Sequence, residues 1–314
     1  MIDIPVVLIF FNKVDSTKKV FEHIRKVQPQ VFYLVSDGPR ASKDKEEETV
    51  FFLRKWVEDN IDWDCSVKKI YSKENMGCKK RVVSGLNEVF SKEEYAIILE
   101  DDCLPKKSFF NYCQKLLKYY KNDERIMLIS GNNQVPLKSY EITDDYTFSK
   151  NVWIWGWATW ARSWHLYDGE ITDWDKNKVK KILKQNLLSE FRIKELEKAI
   201  ERVYRHEIDT WDYQWCYCVW KNNGLAIVPK YNLIDNLGFN IAEALHTTGE
   251  MPKYLKEIFF TLDEFTKEIV ISETIERNIE FDEKYDEILK KDFINSRNLV
   301  FRVIRKIKRI IKGN

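Results

Sequence analysis

Three adjacent carboxylates stand at the end of an apolar run in the first half of the chain. In the segment "EYAIILEDDCLP" (residues 94–105), Glu100, Asp101 and Asp102 directly follow the apolar residues. Neighbouring carboxylates in a partly buried site repel one another by several kcal/mol unless a cation or a shifted pKa relieves them. Mg²⁺ and Mn²⁺ prefer oxygen ligands and often take only one or two protein carboxylates, with substrate phosphate oxygens completing the shell. The cluster therefore predicts a divalent cation site; the alternative is a solvated acidic turn that caps the helix after Pro105.

A glycine followed by basic residues marks a second turn of interest. The segment "YSKENMGCKKRVVSGL" (residues 71–86) places Gly77 before Lys79, Lys80 and Arg81 in the first turn of a predicted helix. Free N–H groups at a helix start, together with cationic side chains, can receive a phosphate. The segment matches neither a Walker loop nor a GxGxxG motif, so a helix start with solvated lysines remains the alternative.

The elements that position these turns alternate along the first 130 residues. Strand candidates are residues 5–11, 31–37, 65–72, 95–100 and 126–131, and the helix candidates between them are residues 16–26, 44–59, 79–90 and 107–121. Such alternation, with strands that are apolar on both faces, predicts an α/β layered domain with a largely parallel sheet. Ligands bind such sheets at the carboxyl ends of the strands.

The rest of the chain is less regular. Residues 146–173 are dense in tryptophan, residues 179–207 have helical periodicity, and residues 209–224 predict a helix with Asp or Thr at its N-cap and Gly after its end. A short strand is predicted over residues 225–229, and a loop follows. Because no repeat or low-complexity linker interrupts the sequence, we expect residues 1–280 to form one unit, followed by a charged helical region over residues 281–314.

Composition excludes several classes of protein. The 314 residues are 44% hydrophobic and 32% charged, which is typical of a globular chain, and no apolar run is long enough for a membrane span. The opening "MIDIPVVLIFFNK" lacks a basic start, so we interpret it as a first strand rather than a signal peptide. The six cysteines form no CxxC pair, which argues against a zinc site or a disulfide framework and favours a reducing compartment.

Positive charge is concentrated at the C-terminus. Residues 296–314 contain seven Lys or Arg residues and no acid, so the preceding body carries a net charge of −5 although the whole chain carries +2. A basic tail on an acidic body argues against nucleic-acid binding. In helical spacing the tail has an apolar stripe flanked by basic residues, which predicts an amphipathic helix on an anionic membrane surface. The alternative is a terminal helix docked on protein. The stripe comprises Val300, Val303, Ile304, Ile307 and Ile311.

Several segments, taken in order, resemble one enzyme family. They are "IFFNKVDSTKKVFEHI", "VSDGPR", "KENMGCKKRVVSGL", "ILEDDCLPKKSFFNY", "WGWATWARSW", "WDYQW" and "NLGFN…HTTGE". The series resembles bacterial glycosyltransferases of the GT-A fold, in the family-two-like group often found in surface polysaccharide loci. The acidic segment is also similar to the EDD motif of N-acetylglucosaminyltransferase type one. The resemblance covers roughly residues 4–250.

The resemblance implies roles for the metal-site and base-site residues. Asp102 would bind the metal of a nucleotide-diphosphate sugar, Mn²⁺ or Mg²⁺, and Asp101 would contact the ribose or a metal-bound water. His246 in "LHTTGE" would complete the metal or diphosphate site. An inverting transfer also needs a carboxylate that deprotonates the acceptor hydroxyl. Asp212 in "TWDYQW" is the candidate, with Glu207 and Asp209 as alternatives; a stabilising role at the helix N-terminus is the plainer explanation for Asp212.

The same resemblance places further residues at the donor. Asp37 would accept from the base or ribose, and Arg40 or Lys79 would approach the diphosphate. The residues expected to line the nucleotide pocket beside them are Phe10, Phe11, Asn12, Asn75 and Gly77.

Five tryptophans fall within the twelve residues of "WIWGWATWARSW". Sugar rings pack their C–H faces on indoles, but tryptophan runs also build cores. Trp157, Trp160 and Trp164 have the spacing of one helix face, so we expect them in the core. Trp153 and Trp155 are then the predicted wall of the donor or acceptor pocket.

Taken together, the resemblance implies a Rossmann-like GT-A domain with a mixed, mostly parallel sheet. Residues 1–131 would bind the nucleotide sugar and residues 132–280 the acceptor. The expected activity is a metal-dependent, inverting hexosyl or N-acetylhexosaminyl transfer to a glycan or lipid-linked acceptor, in the cytoplasm at the inner face of the plasma membrane. A sugar nucleotidyltransferase is an alternative, although no Gly-rich loop follows the first strand. A non-catalytic glycan-binding protein of the same fold is another.

Overall fold

The first hundred residues build the parallel half of a sheet. The computed structural model describes residues 2–239 and 251–312, with side chains as far as residue 295. The elements run in the order β1 (Val6–Phe10), α1 (Val14–Val27), β2 (Val31–Ser36), α2 (Glu46–Asp59), β3 (Ser66–Tyr71), α3 (Cys78–Phe90) and β4 (Tyr95–Glu100). The four strands pair in parallel in the order β3-β2-β1-β4. The predicted alternation is confirmed, with strand bounds within one residue of those expected.

The second half completes a mixed sheet. It contains β5 (Cys103–Pro105), α4 (Lys107–Tyr119), β6 (Ile126–Ser130), β7 (Tyr146–Ser149), β8 (Trp157–Trp160), α5 (Ala161–Trp164), α6 (Lys176–Asn186), α7 (Glu190–Tyr204), α8 (Asp212–Lys221), β9 (Leu225–Pro229), β10 (Ile234–Asn236), α9 (Lys253–Lys256) and α10 (Ile279–Lys312). The main sheet has the order β3-β2-β1-β4-β8-β6-β9-β7, in which β8 and β7 run antiparallel to their neighbours. A mixed, mostly parallel α/β sheet is therefore confirmed.

Helices cover both faces of this sheet, which explains why its central strands are apolar throughout. In β1, Val6 and Leu8 belong to one buried cluster, and Val7 and Ile9 belong to the cluster on the opposite face. This alternation follows from the two-residue period of a strand. The sheet is therefore held from both sides, and its carboxyl edge is fixed in place.

The tryptophan run forms core, but not as one helix face. Trp157 and Trp160 lie in the strand β8 and Trp164 lies in the short helix α5, all at most 1% exposed. Because Trp157 and Trp160 are an odd number of residues apart in a strand, they enter clusters on opposite faces of the sheet. The interpretation of their spacing as one helix face was wrong, whereas the prediction that they are buried is confirmed.

The helical period over residues 179–207 is interrupted. The structure has two helices, α6 and α7, separated by extended residues. Ser189 caps the second helix by accepting a hydrogen bond from the amide of Arg192. A side-chain cap of this kind competes with continued helix, which explains the break.

The start of α10 belongs to the packed body of the protein. Asp282, 2% exposed, accepts hydrogen bonds from Ser149 Oγ, from Asn151 Nδ2 at 2.9 Å and from Arg277 Nε at 2.6 Å. Phe281, one residue before it, is fully buried. The helix continues to Lys312. Within the described part of the chain, no helix is long and apolar enough to cross a bilayer.

Replacing Asp282 tests this anchor. Asp282→Ala leaves four donors without this acceptor, the Lys150 amide among them, so we expect the free energy of unfolding to fall by about 3 kcal/mol. The matched control is Glu283→Ala, one residue along on the exposed face of α10, where a change below about 0.5 kcal/mol is expected. Urea unfolding measures both variants. Equal stabilities would show that the carboxylate does not hold the helix.

Candidate functional site

A cavity of about 500 Å³ opens at the carboxyl edge of the sheet. It lies where β1, β2 and β4 end and where α3 and α8 begin. Because β8 runs antiparallel to β4, the segment that precedes β8 reaches the same edge. The predicted site residues that line the cavity are Phe10, Phe11, Asn12, Asp37, Arg40, Asn75, Gly77, Asp101, Asp102, Trp155 and Asp212. Sequence positions more than 200 residues apart therefore share one wall.

Two predicted site residues lie elsewhere, and one cannot be placed. Trp153 is 6% exposed and packs against Tyr285 of α10, with ring centroids 4.9 Å apart, so it is not part of the cavity wall. Lys79 donates to Glu170 Oε1 at 2.7 Å and does not line the cavity. Both expected placements were wrong, because Trp153 packs against Tyr285 and Lys79 pairs with Glu170. His246 lies outside the described residues.

The acidic turn is neutralised in part by Lys13, the N-cap residue of α1, which follows the neighbouring strand β1. Lys13 Nζ lies 3.0 Å from Asp101 Oδ1 and 2.7 Å from Asp102 Oδ2. The Phe11 amide donates to the other oxygen of Asp101 at 3.2 Å. Lys13 is not among the site residues predicted from the sequence. Lys13 reaches the acidic turn because β1 and β4 pair in parallel, so that both strands end at the same edge of the sheet.

Burial and charge shift the ionisation of this cluster. Burial alone would lower the pKa of Lys13, but the charges of Asp101 and Asp102 outweigh it and raise that pKa above its usual range. Burial, reinforced by the charge of Asp102, raises the pKa of Glu100 to about 8. Burial also raises the pKa of Asp101, against the opposing charge of Lys13. Burial therefore favours the neutral form of Glu100, while Lys13 favours the ionised form of Asp101 beside it.

Arg81 is a buried cation with an unpaired group. Its side chain lines the cavity from the first turn of α3, the residue is 7% exposed, and its Nε has no hydrogen-bond partner among the described residues. Burial lowers its pKa, with Asp37 opposing that shift. By contrast, Arg40 in the same cavity wall donates from Nε to Glu46 at 3.0 Å. A buried guanidinium without a full set of acceptors favours an incoming anion.

The helix that carries Arg81 also begins without a side-chain cap. Its N-cap residue is Gly77, with φ of +84°, and no side chain accepts from the first turn. Uncapped amides and the helix dipole favour an anion at this end. The sequence predicted that Lys79, Lys80 and Arg81 in this turn could receive a phosphate, and the resemblance gave the diphosphate to Arg40 or Lys79. The burial that distinguishes Arg81 from the two lysines is a tertiary property.

Asp37 holds the loop that leads into this turn. Its carboxylate accepts from the amides of Gly38 at 2.9 Å, Met76 at 2.9 Å and Gly77 at 3.0 Å. Asn75 Nδ2 donates to the Gly38 carbonyl at 2.8 Å, which ties the same two segments together. A side chain at Gly38 would place its Cβ 2.4 Å from the Glu74 backbone, so the approach requires glycine. Asp37 thus fixes the part of the cavity wall that precedes α3.

Asp212 stands on the wall formed by α8. Its Oδ1 accepts from the Thr210 hydroxyl and from the Tyr213 amide at 2.8 Å, whereas no donor to Oδ2 is found in the described residues. One oxygen therefore fixes the carboxylate and the other remains available, which suits a general base. The N-cap residue is Trp211, not the Asp or Thr expected. Of the alternative bases, Asp209 lines the cavity, and Glu207 instead pairs with Arg202 outside it.

The donor atoms at the turn are of the kind that a divalent cation prefers. Asp102 Oδ1 has only a weak contact, from Cys103 Sγ at 3.6 Å. One such carboxylate, completed by phosphate oxygens, suits Mg²⁺ or Mn²⁺. Within residues 2–239 and 251–295, no group of three or more His, Cys, Asp or Glu side chains is arranged to hold a metal alone. The residues fit a cation that arrives with a ligand of its own.

Comparison with known proteins gives only distant similarities. No protein-family model matches the chain, and no curated protein matches it. Among solved structures, the mannosyltransferase PcManGT from Pyrobaculum calidifontis, in complex with GDP-Man and Mn²⁺, has 12% identity and a TM-score of 0.41 over 76% of this chain. S. aureus TarS 1–349 has 12% identity and a TM-score of 0.40 over 73% of it. Each match spans 58% of the other protein.

A third solved structure is similar to about the same extent. The galactosyltransferase LgtC, in complex with donor and acceptor sugar analogues, has 10% identity and a TM-score of 0.36, covering 75% of this chain and 74% of its own. Similarities at this distance carry no argument about activity. The functional argument rests on the cavity itself.

Two arginines of equal burial test the unpaired charge. Arg81 and Arg54 are both 7% exposed, but Arg54 donates to Ser36 Oγ and to the carbonyls of Asp37 and Ser72. We expect Arg81→Met to raise the free energy of unfolding by about 1 kcal/mol, since removal of an incompletely paired buried charge relieves desolvation. Arg54→Met should lower it by about 3 kcal/mol. Thermal or urea unfolding without added anions measures both, and an equal loss of stability in the two variants contradicts the assignment.

Proposed function

We propose that the protein is a glycosyltransferase that moves a sugar from a nucleotide-diphosphate donor to a glycan or lipid-linked acceptor. The observation that carries the proposal is the cavity that combines Asp102, the incompletely paired Arg81 and the carboxylate of Asp212. An anion-binding helix start beside a carboxylate turn fits a diphosphate with its counter-ion. A second carboxylate in the same cavity fits a base for an acceptor hydroxyl. The GT-A resemblance of the sequence agrees with this arrangement.

In the proposed complex, the nucleotide lies along the ends of β1 and β2. Phe11 and Asn12 bound this part of the cavity, and Arg40 lies over the Phe11 ring at 5.5 Å. The diphosphate then reaches the start of α3, where Arg81 supplies charge-assisted hydrogen bonds. Asp102 would hold Mn²⁺ or Mg²⁺, and the cation would neutralise the charge that develops on the leaving diphosphate.

Asp212 is the proposed general base. Its available oxygen takes the proton of the acceptor hydroxyl as the hydroxyl oxygen forms its bond to the anomeric carbon. The bond between that carbon and the diphosphate oxygen breaks with its electron pair leaving on the nucleoside diphosphate. Attack from the face opposite the leaving group inverts the anomeric configuration. Thr210 and the Tyr213 amide keep the carboxylate in position throughout.

Trp155 is the proposed sugar-binding surface. It lines the cavity and packs edge-on against Phe239, with ring centroids 5.8 Å apart. The Phe259 ring is tilted relative to it, at a centroid distance of 5.9 Å. Such an aromatic group presents an apolar face to the C–H side of a sugar ring. Because it lies on the antiparallel side of the sheet, it supports an acceptor or donor sugar rather than the nucleotide.

The proposed base is tested by replacing either cavity carboxylate. We expect Asp212→Asn to reduce sugar transfer by about 1,000-fold, because the amide cannot take the proton. Binding of the nucleotide sugar, measured by calorimetry with Mn²⁺, should remain within about threefold of the unmodified protein. Transfer is followed as nucleoside diphosphate release from UDP- and GDP-sugars in the presence of membrane-extracted acceptors.

Asp209→Asn is the matched control for this variant. It should retain most of the activity, since Asp209 lines the cavity without the fixed geometry of Asp212. If Asp209→Asn loses transfer and Asp212→Asn keeps it, the base has been assigned to the wrong residue.

We further propose that the enzyme works in the cytoplasm, bound to the inner face of the plasma membrane. The support is the sequence of the last part of α10, where seven basic residues follow Ser296 without an acid. Each basic residue near an anionic surface contributes about 1 kcal/mol to binding. Because the start of α10 is anchored by Asp282, a membrane-bound tail would hold the body close to lipid-linked acceptors.

Removing the tail tests membrane binding. Deletion of residues 296–314 should reduce co-sedimentation with phosphatidylglycerol vesicles by about 100-fold or more, since several basic residues are lost together. Neutral phosphatidylcholine vesicles should bind neither form. Full-length protein that fails to bind anionic vesicles at low salt would favour docking of the tail on protein instead.

A further inference from the structure

Lys13 places a positive charge at the acidic turn where the metal cation is proposed to bind. Its ammonium contacts both Asp101 and Asp102, at 3.0 Å and 2.7 Å. All three side chains are largely buried, with 19%, 9% and 14% of their surfaces exposed. A divalent cation held about 2.1 Å from the other oxygen of Asp102, Oδ1, would place a second positive charge beside the ammonium on Oδ2 in the same partly buried turn. Lysine and metal therefore compete for this turn.

We infer that Lys13 is a built-in counter-ion that makes metal binding at Asp102 conditional on a nucleoside diphosphate. The inference rests on the proposed function and names a residue that regulates the metal at that site. In the free protein, the ammonium satisfies the two aspartates and disfavours a divalent cation. When a diphosphate enters, its negative charge offers the ammonium a second partner and the cation further ligands.

The local charges support this order of events. With Lys13 in place, Asp101 and Asp102 together retain one uncompensated negative charge, and a divalent cation would turn this into a net positive charge in a partly buried site. Burial of uncompensated charge is unfavourable. A diphosphate that brings two negative charges returns the site to the net charge of −1 that it has without either ligand. The two ligands should consequently bind much better together than separately.

The backbone at Lys13 lets the side chain move while the turn stays fixed. The Lys13 carbonyl accepts from the Thr17 amide at 3.0 Å and from the Thr17 hydroxyl at 2.6 Å, which anchors the first turn of α1. The side chain makes its described polar contacts only with the two aspartates. A lysine ammonium on its four-carbon stem can therefore turn from the carboxylates toward a diphosphate without a change in the fold.

Manganese titration of the full-length protein tests the inference without any measurement of transfer. Free Mn²⁺ is followed by electron paramagnetic resonance, with and without UDP or GDP. We expect Mn²⁺ alone to bind the unmodified protein weakly, and a nucleoside diphosphate to tighten that binding by at least tenfold, about 1.4 kcal/mol. Lys13→Met should bind Mn²⁺ alone at least tenfold more tightly than the unmodified protein, with a smaller further gain from nucleotide.

Two further variants separate competition from other effects. Lys13→Arg keeps the positive charge and should bind Mn²⁺ alone as weakly as the unmodified protein. Asp102→Asn in the Lys13→Met background should lose the gained affinity, which locates the metal at the turn. Equal Mn²⁺ affinity of the unmodified protein and Lys13→Met, in the absence of nucleotide, overturns the inference.

The design also separates this inference from the proposed function. If the purified Lys13→Met protein does not fold, the unmodified protein decides the matter, since Mn²⁺ binding that is already tight without nucleotide overturns the inference. If no nucleoside diphosphate binds to any variant, the proposed donor is wrong. The comparison of Lys13→Met with the unmodified protein in Mn²⁺ alone still tests the role of Lys13.

Discussion

The contact of Lys13 with Asp101 and Asp102 is the interaction on which the site depends. It joins the ends of β1 and β4, and it allows a strand with a fully apolar interior to end in three acids. The parallel pairing of the two strands sets this geometry, because Ile9 lies opposite Glu100 in the register. Without the lysine, only a bound cation or extra protons could relieve the repulsion between the carboxylates of the turn. With it, the turn is preformed and still carries an excess of negative charge.

Another part of the cavity wall carries positive charge and lacks an anion. At the start of α3, an uncapped helix end and the buried Arg81 present positive charge that its own surroundings do not fully pair. Asp37 fixes the loop before that helix end through three backbone amides. An anion that lies between Arg81 and the acidic turn, together with a cation at the turn, would satisfy both. This complementarity, more than any single residue, gives the cavity its proposed chemistry.

Much of this arrangement was accessible from the sequence, because it depends on local patterns. Apolar runs ended by polar residues gave the bounds of β4 and β9 to the residue, and the rule that ligands bind at the carboxyl ends of strands placed Asp37 and Asp102 at one edge. What the sequence did not reveal depends on contacts across long separations. Lys13 pairs with Asp101 and Asp102, which are 88 and 89 residues away in the sequence, and Trp153 packs against Tyr285 of α10. Neither strand register nor helix docking can be read from periodicity alone.

The account predicts one chemical outcome above all. The unmodified protein is incubated with nucleotide sugars, Mn²⁺ and membrane-extracted acceptors, and the products are identified by mass spectrometry. Glycosyl transfer predicts a nucleoside diphosphate together with an acceptor whose mass increases by one sugar residue. Release of pyrophosphate from a nucleoside triphosphate and a sugar phosphate, with no transfer from any nucleotide sugar, would identify a nucleotidyltransferase and contradict the account.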